Sequence, residues 1–111
     1  MTKNWARNLP VSLTICDTQG VIVYMNPLSM EMFSKDGGSL LVGKSLFDCH
    51  NEESNKHIRK MLNEKIGQTY TTEKNGHKKL IHQVPWFEKN EFMGLMELTI
   101  KLPDDMINKK R

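Results

Sequence analysis

The sequence predicts an α+β fold in which one five-stranded antiparallel sheet carries helices packed on one face. Two short runs rich in β-forming residues, 11–16 and 21–25, are too short for helices and are predicted strands. Three further strands are predicted near the other end, over residues 69–73, 78–87 and 92–102. Helical segments fill the interval between the two groups, and an antiparallel sheet buries one face beneath such helices.

A tight turn and a helix start flank the second strand. Asp17 begins the turn by accepting local backbone hydrogen bonds, and Gly20 supplies the positive φ that closes it. Asn26 is the predicted N-cap of a helix over residues 27–33, and Pro27 at its first position has no N–H to leave unpaired. Replacing Asn26 by alanine is therefore expected to cost about 1 kcal/mol of stability through loss of the cap.

This succession of strand, Asp-x-x-Gly turn, strand, Asn-Pro and short helix resembles the opening of a PAS domain, a small sensory fold. The alternative interpretation is an unrelated β-hairpin followed by a helix. The resemblance extends over about residues 9–103 and implies a PAS domain at 11–103, between an N-terminal arm at 1–10 and a C-terminal tail at 104–111. Trp5 is the expected anchor of the arm. The residues that carry the resemblance are Asp17, Gly20, Ile22, Tyr24, Asn26 and Pro27.

A long amphipathic helix is predicted over residues 52–65, capped by Asn51 and ended by Gly67. Its core-facing stripe follows helical spacing and consists of Ile58, Met61, Leu62 and Ile66.

In the fourth strand, Pro85 has no N–H to donate, so we expect it at an edge or a bulge. The first strand alternates, with Val11, Leu13 and Ile15 on one face and Ser12, Thr14 and Cys16 on the other.

Composition limits the classes of partner. A chain of 111 residues forms one domain, and its 16 basic and 13 acidic residues leave a net charge of only +3. We therefore predict no nucleic-acid partner. No apolar run approaches the ~20 residues of a membrane span, so no membrane partner is predicted. Two cysteines without a CxxC pair favour the reducing cytoplasm.

The resemblance implies a ligand pocket between the long helix and the inner face of the sheet. The expected lining is Ile15, Met25, Leu46, Phe47, Ile58, Leu62 and residues of the last two strands. Methionines are numerous in this small core, which fits either a pocket that repacks around a ligand or ordinary core filling.

Haem is one cofactor that the resemblance raises, because haem-binding PAS sensors carry an iron-ligating histidine on the long helix. An ungapped comparison from Gly43 places Ile58 at that position, with His57 about 100° round the helix. His57 is then either a surface residue or, after one inserted residue, an inward one. A photochemical flavin site is not expected, because Cys49 stands three places too late in its motif.

His50 is the other haem candidate and the single metal-ligand candidate. The segment Asp48-Cys49-His50-Asn51 at the helix entrance resembles the Cys-His-Pro-Pro-Lys-Ser entrance in the PAS-like domain of a group of uncharacterised bacterial proteins. The Gly-x-hydrophobic-Glu-hydrophobic-Thr tail of that domain is matched at residues 94–99. His50 either pins the helix entrance or ligates haem iron. Catalysis by Cys49 and His50 is not expected, because adjacent side chains diverge.

Two function hypotheses follow, and haem gives a third. The first is a sensory PAS module that binds a small ligand or cofactor and relays this to a protein partner. The second is a cofactor-free PAS module that dimerises or docks other proteins. The third is a haem-binding sensor through His50 or His57. The expected pocket or cofactor contacts are His50, His57, Ile58, Leu62, Phe47 and Met25, and the expected assembly is a homodimer.

Overall fold

The computed structural model describes residues 4–111. It contains three α-helices, three short 3₁₀ turns and five strands. The helices are α1 (Asn4–Arg7), α2 (Pro27–Met32) and α3 (Glu52–Glu64), and the 3₁₀ turns are Ser34–Asp36, Gly38–Leu41 and Leu46–Asp48. The strands are β1 (Ser12–Cys16), β2 (Ile22–Met25), β3 (Gln68–Lys74), β4 (His77–Glu88) and β5 (Glu91–Lys101).

The five strands form a single antiparallel sheet in the order β2-β1-β5-β4-β3, which confirms the predicted α+β fold. The helical segments between β2 and β3 therefore connect the two opposite edges of the sheet. Pro85 pairs with Leu95 of β5, but the pairing of β4 with β3 ends at Gln83. Pro85 thus lies where β4 is locally an edge strand, as its missing N–H requires. Among the described residues, no helix is long and apolar enough to span a bilayer.

Asn26 is fully buried and connects three elements through its side chain. Its Oδ1 accepts hydrogen bonds from the N–H of Ser29, at 3.0 Å, and from the N–H of Leu13, also at 3.0 Å. Its Nδ2 donates to the carbonyl oxygens of Ala6, at 3.1 Å, and Val11, at 2.8 Å. The predicted cap of α2 is present, and the same amide also holds α1 and β1 in place.

The turn that joins β1 to β2 has the predicted form. Oδ1 of Asp17 accepts from the N–H of Gln19 and the N–H of Val21. Gly20 adopts a φ of +82° and donates its N–H to the carbonyl oxygen of Asp17. The ring of Phe47 lies against Gly20, where it leaves no room for a Cβ atom.

The long helix ends earlier than its sequence indicates. Lys65, in the left-handed conformation, caps α3, and its N–H donates to the carbonyl oxygen of Met61. Gly67 is not the cap, because it lies past the helix, where a Cβ atom would clash with the carbonyl oxygen of Gln83. Ile66 therefore falls outside the predicted stripe and is 40% exposed, whereas Ile58 and Met61 are buried.

The first strand presents its more polar set of residues to the helices. Ser12 and Cys16 are buried, and with Thr14 they pair with Thr99, Leu95 and Glu97 of β5. Cys16 packs with Ile58 and Met61 of α3, which identifies this face as the inner face of the sheet. Ile15, expected in the pocket, lies on the opposite face of β1, because alternate side chains of a strand point to opposite faces.

We expect Asn26→Ala to lower the free energy of unfolding by about 3 kcal/mol, well above the loss of a cap alone. The variant leaves buried donors and acceptors from three elements without partners, and each such group is costly. Asn51→Ala is the matched control, because the exposed Asn51 caps α3 through Ser54 N–H and should cost about 1 kcal/mol. Urea denaturation measures both variants, and equal losses would show that Asn26 acts only as a cap.

Candidate functional site

A cavity of about 120 Å³ lies between α3, the 3₁₀ segments and the inner face of the sheet. An engineered apolar cavity of about 150 Å³ binds benzene, so this one has room for a molecule of roughly that size. Most of its wall is apolar. The apolar lining comprises Ile22, Met25, Phe33, Leu41, Leu46, Ile58, Met61, Leu95 and Met96.

A row of polar side chains crosses the inner face of four strands. Gln68, Gln83, Glu97 and Thr14 stand directly opposite one another in the register of β3, β4, β5 and β1. Gln68 Nε2 donates to Gln83 Oε1 at 2.9 Å, and Gln83 Nε2 donates to Glu97 Oε2 at 2.6 Å. The hydroxyl of Thr14 hydrogen-bonds that of Ser29 on α2. Of this row, Gln83, Glu97 and Thr14 line the cavity.

The carboxylate fixes the orientation of both amides in this row. An ionised carboxylate only accepts hydrogen bonds, so Gln83 must present its NH₂ group to Glu97. The carbonyl oxygen of Gln83 then points to Gln68, which must present its own NH₂ group. The amide donors of Gln68 and Gln83 therefore both point in the direction of Glu97.

The predicted apolar site residues divide between the cavity wall and the layer beside it. Met25 and Ile58 line the cavity. Phe47 and Leu62 are partly buried and pack against the cluster formed by Cys16, Ile58, Met61 and Leu95. The Phe47 ring also carries the Arg59 guanidinium 4.9 Å from its centroid.

The two candidate histidines occupy different surroundings. His57 lies on the outside of α3, with its side chain 56% exposed and its Nε2 3.6 Å from Glu53 Oε1. His50 borders the cavity, and its Nδ1 lies 2.8 Å from the carbonyl oxygen of Leu46. Because a carbonyl only accepts, Nδ1 of His50 is the donor in this contact. The contact closes the turn that leads into α3, which fits the interpretation that His50 pins the helix entrance.

The cavity as described is smaller than haem, because its volume of about 120 Å³ is near that of one benzene ring and haem has four linked pyrrole rings. His50 borders this space. His57, also an expected cofactor contact, is exposed on α3 and is not part of the described cavity lining. Within residues 4–111, no group of three or more His, Cys, Asp or Glu side chains is arranged to hold a metal ion.

The two cysteines differ in exposure and in chemistry. Burial is the main cause that raises the pKa of the Cys16 thiol, so this cavity-lining group stays protonated and weakly nucleophilic at neutral pH. Cys49 is exposed, and its Sγ lies 3.6 Å from the carbonyl oxygen of Ser45. Neither thiol is hydrogen-bonded to a histidine among the bonds described, so the pair has no nucleophile-base arrangement.

Sequence reasoning missed the polar part of the site. Thr14, Cys16, Gln83 and Glu97 line the cavity, but the expected lining named none of them individually. One signal was available in the last strand, where Glu97 interrupts the otherwise apolar run of Leu95, Met96 and Leu98. Charged residues are rarely buried within such a run unless they are paired, so Glu97 is an unusual residue at this position.

The chain belongs to the PAS family. The family model described as PAS fold matches residues 6–100, which confirms the resemblance that the Asp-x-x-Gly and Asn-Pro positions carry. No curated protein matches the chain.

Several solved structures share this fold at low sequence identity. The Aer2 receptor from Vibrio cholerae, a dual PAS-haem oxygen sensor, matches with 17% identity and a TM-score of 0.65, over 84% of this chain and 95% of that chain. The VqmA dimer from Vibrio cholerae, a LuxR-type receptor, matches with 16% identity and a TM-score of 0.68, over 94% of this chain and 54% of that chain. A sensory box sensor histidine kinase from Vibrio cholerae matches with 14% identity and a TM-score of 0.63, over 89% of this chain and 86% of that chain.

We expect no Soret band from the parent protein after titration with haemin and desalting, because the cavity is too small for haem. His50→Ala and His57→Ala serve as paired controls and should give the same flat spectrum. A Soret band that the parent retains would contradict this expectation. If His50→Ala then abolished the band while His57→Ala did not, His50 would be the iron ligand.

Proposed function

We propose that this PAS domain, over residues 11–103, is a sensory module that binds a small molecule in the cavity beneath α3 and relays its presence to a protein partner. The cavity itself is the observation that carries the proposal. Native interiors are close-packed and hold few voids larger than a water molecule. A space of about 120 Å³ with an apolar wall and a few convergent polar groups has the composition of a small-molecule site.

The strands that line the cavity also provide a route to the surface. Cys16 and Leu95 face the cavity from β1 and β5, while Ile15, next to Cys16 on β1, lies on the outer face. A ligand that shifts β1 or β5 therefore moves the outer face of the sheet as well. A partner bound to that outer face would sense the shift, because a strand is too thin to move one face without the other.

The second candidate function is cofactor-free dimerisation or docking through the same outer face. Its apolar residues include Ile15, Val84 and Leu98, which are only partly buried. Trp5 of α1 is 57% exposed, and large exposed aromatic side chains are common anchors of interfaces. In this function the ligand cavity has no role, so binding experiments separate the two candidates.

Neither proposal includes a catalytic role. The cytoplasmic setting stays a prediction. The absence of a nucleic-acid partner stays a prediction based on the net charge of +3. The arm at 1–10 and the tail at 104–111 are proposed to flank the domain, and residues 1–3 of the arm lie outside the described part of the chain.

We expect fluorobenzene, a neutral probe of benzene size, to bind the parent protein and broaden its own ¹⁹F NMR signal. Ile58→Trp should abolish this effect, because the indole fills the cavity that Ile58 lines. Ile66→Trp is the matched control, since Ile66 is an exposed isoleucine just past the same helix. Native mass spectrometry should also find a retained small molecule. A parent protein that holds neither probe nor retained molecule would leave the cofactor-free function.

We expect the protein to sediment as a dimer at micromolar concentration, with Trp5→Ala weakening the dimer by about 2 kcal/mol, as for an interface hot spot. Leu40→Ala is the control, because Leu40 is 73% exposed but lies in the 3₁₀ turn Gly38–Leu41, away from α1 in the chain. A monomer that Trp5→Ala leaves unchanged would count against the dimer.

A further inference from the structure

The charges around the cavity have the opposite sign to the chain as a whole. The protein carries a net charge of +3, yet the described cavity lining contains the carboxylates Asp36 and Glu97 and neither lysine nor arginine. Asp36 is exposed in the 3₁₀ turn Ser34–Asp36. Glu97 lies on the inner face of β5, which packs against α3. A ligand in this cavity therefore meets negative charge.

Glu97 lacks an ionic partner from the described residues. Its one described hydrogen bond runs from Gln83 Nε2 to Oε2, and no lysine, arginine or histidine lies within salt-bridge distance. One neutral donor satisfies only a part of the carboxylate's four lone-pair positions. The remaining acceptor capacity, centred on Oε1, is available to a ligand.

The neighbours of Glu97 do not supply the missing donors. The NH₂ group of Gln83 already supplies the one bond to Glu97, and the NH₂ group of Gln68 is used by Gln83. The hydroxyl of Thr14 bonds Ser29. Tyr70 lies close enough on the same side of the sheet for Glu97 to raise the pKa of its phenol, although burial raises it more. His50 is the single lining residue able to become a cation, and its Nδ1–H is directed to the Leu46 carbonyl.

We propose that the cavity takes a small apolar molecule bearing a protonated amine, whose ammonium group binds Glu97 while its hydrocarbon part packs on Ile58, Met61 and Leu95. This inference rests on the proposed function and specifies its ligand class. A charge-assisted hydrogen bond is roughly twice as strong as a neutral one, so an ammonium outcompetes a hydroxyl of equal size. A carboxylate or phosphate is repelled by Glu97. The cavity volume limits the ligand to about the size of benzene.

The test compares three probes of one shape in the full-length chain at pH 7, namely 3-methylbutylamine, 3-methylbutanol and 3-methylbutanoate. NMR titration follows the methyl signals of Ile58 and Leu95, which line the cavity. An alkylamine is fully protonated at this pH. The amine should bind at least about tenfold more tightly than the alcohol, and the carboxylate most weakly. This comparison uses the parent protein alone, so it does not depend on how a variant folds.

Glu97→Gln removes the charge and keeps the shape of the side chain. The affinity of the amine should fall to about that of the alcohol, while the alcohol changes by less than about twofold. Glu97→Asp keeps the charge one methylene further away and should retain a reduced preference for the amine. Glu91→Gln, at an exposed site on the same strand, is the matched control and should change nothing.

Three results overturn the inference. The first is equal binding of amine and alcohol by the parent, and the second is an amine preference that survives Glu97→Gln. The third is absence of binding by all three probes. The fluorobenzene titration then distinguishes the two proposals: fluorobenzene binding without amine preference keeps the ligand cavity and rejects the amine, whereas failure of fluorobenzene as well rejects both.

Discussion

The side-chain amide of Asn26 is the interaction on which the rest of this structure depends. Its two acceptor positions and two donor hydrogens are all engaged, with Leu13, Ser29, Ala6 and Val11. Aspartate would lack the donors, and serine is too short to reach β1 and α1 while capping α2. The amide therefore fixes the corner where the edge hairpin passes into the helical layer, and the cavity lies beneath that layer.

The sheet contributes polar as well as apolar side chains to the cavity. The row of Gln68, Gln83, Glu97 and Thr14 crosses the inner face of four strands, and all of its members except Gln68 line the cavity. Glu97 is partly exposed and accepts one described hydrogen bond, from Gln83. The proposed ammonium ligand would use the acceptor capacity that this single bond leaves free.

A tryptophan side chain crosses from β4 over β5 to reach β1. Trp86 on β4 stands opposite Gly94 of β5, and its indole Nε1–H reaches the carbonyl oxygen of Cys16 on β1 at 3.4 Å. Gly94 has no side chain to block this passage, and a Cβ atom there would meet the backbone of Cys16 and Asp17. The carbonyl oxygen of Cys16 therefore accepts a hydrogen bond from an indole on β4, while the side chain of Cys16 lines the cavity.

The sequence by itself determined the local elements of this protein and its family. Asp17, Gly20 and Asn51 act through neighbours a few positions away, as does Asn26 in its role as cap of α2, so these roles are legible without a structure. The bonds of Asn26 to Leu13, Val11 and Ala6 span 13, 15 and 20 positions and are visible only in the structure. Only the tertiary structure decided which face of β1 is inner, that Gly67 serves close approach to Gln83 rather than the end of α3, and that Glu97 joins a cavity. Alternation sorts side chains into two faces, but it does not state which face the helices cover. That choice depends on contacts between residues far apart in the chain.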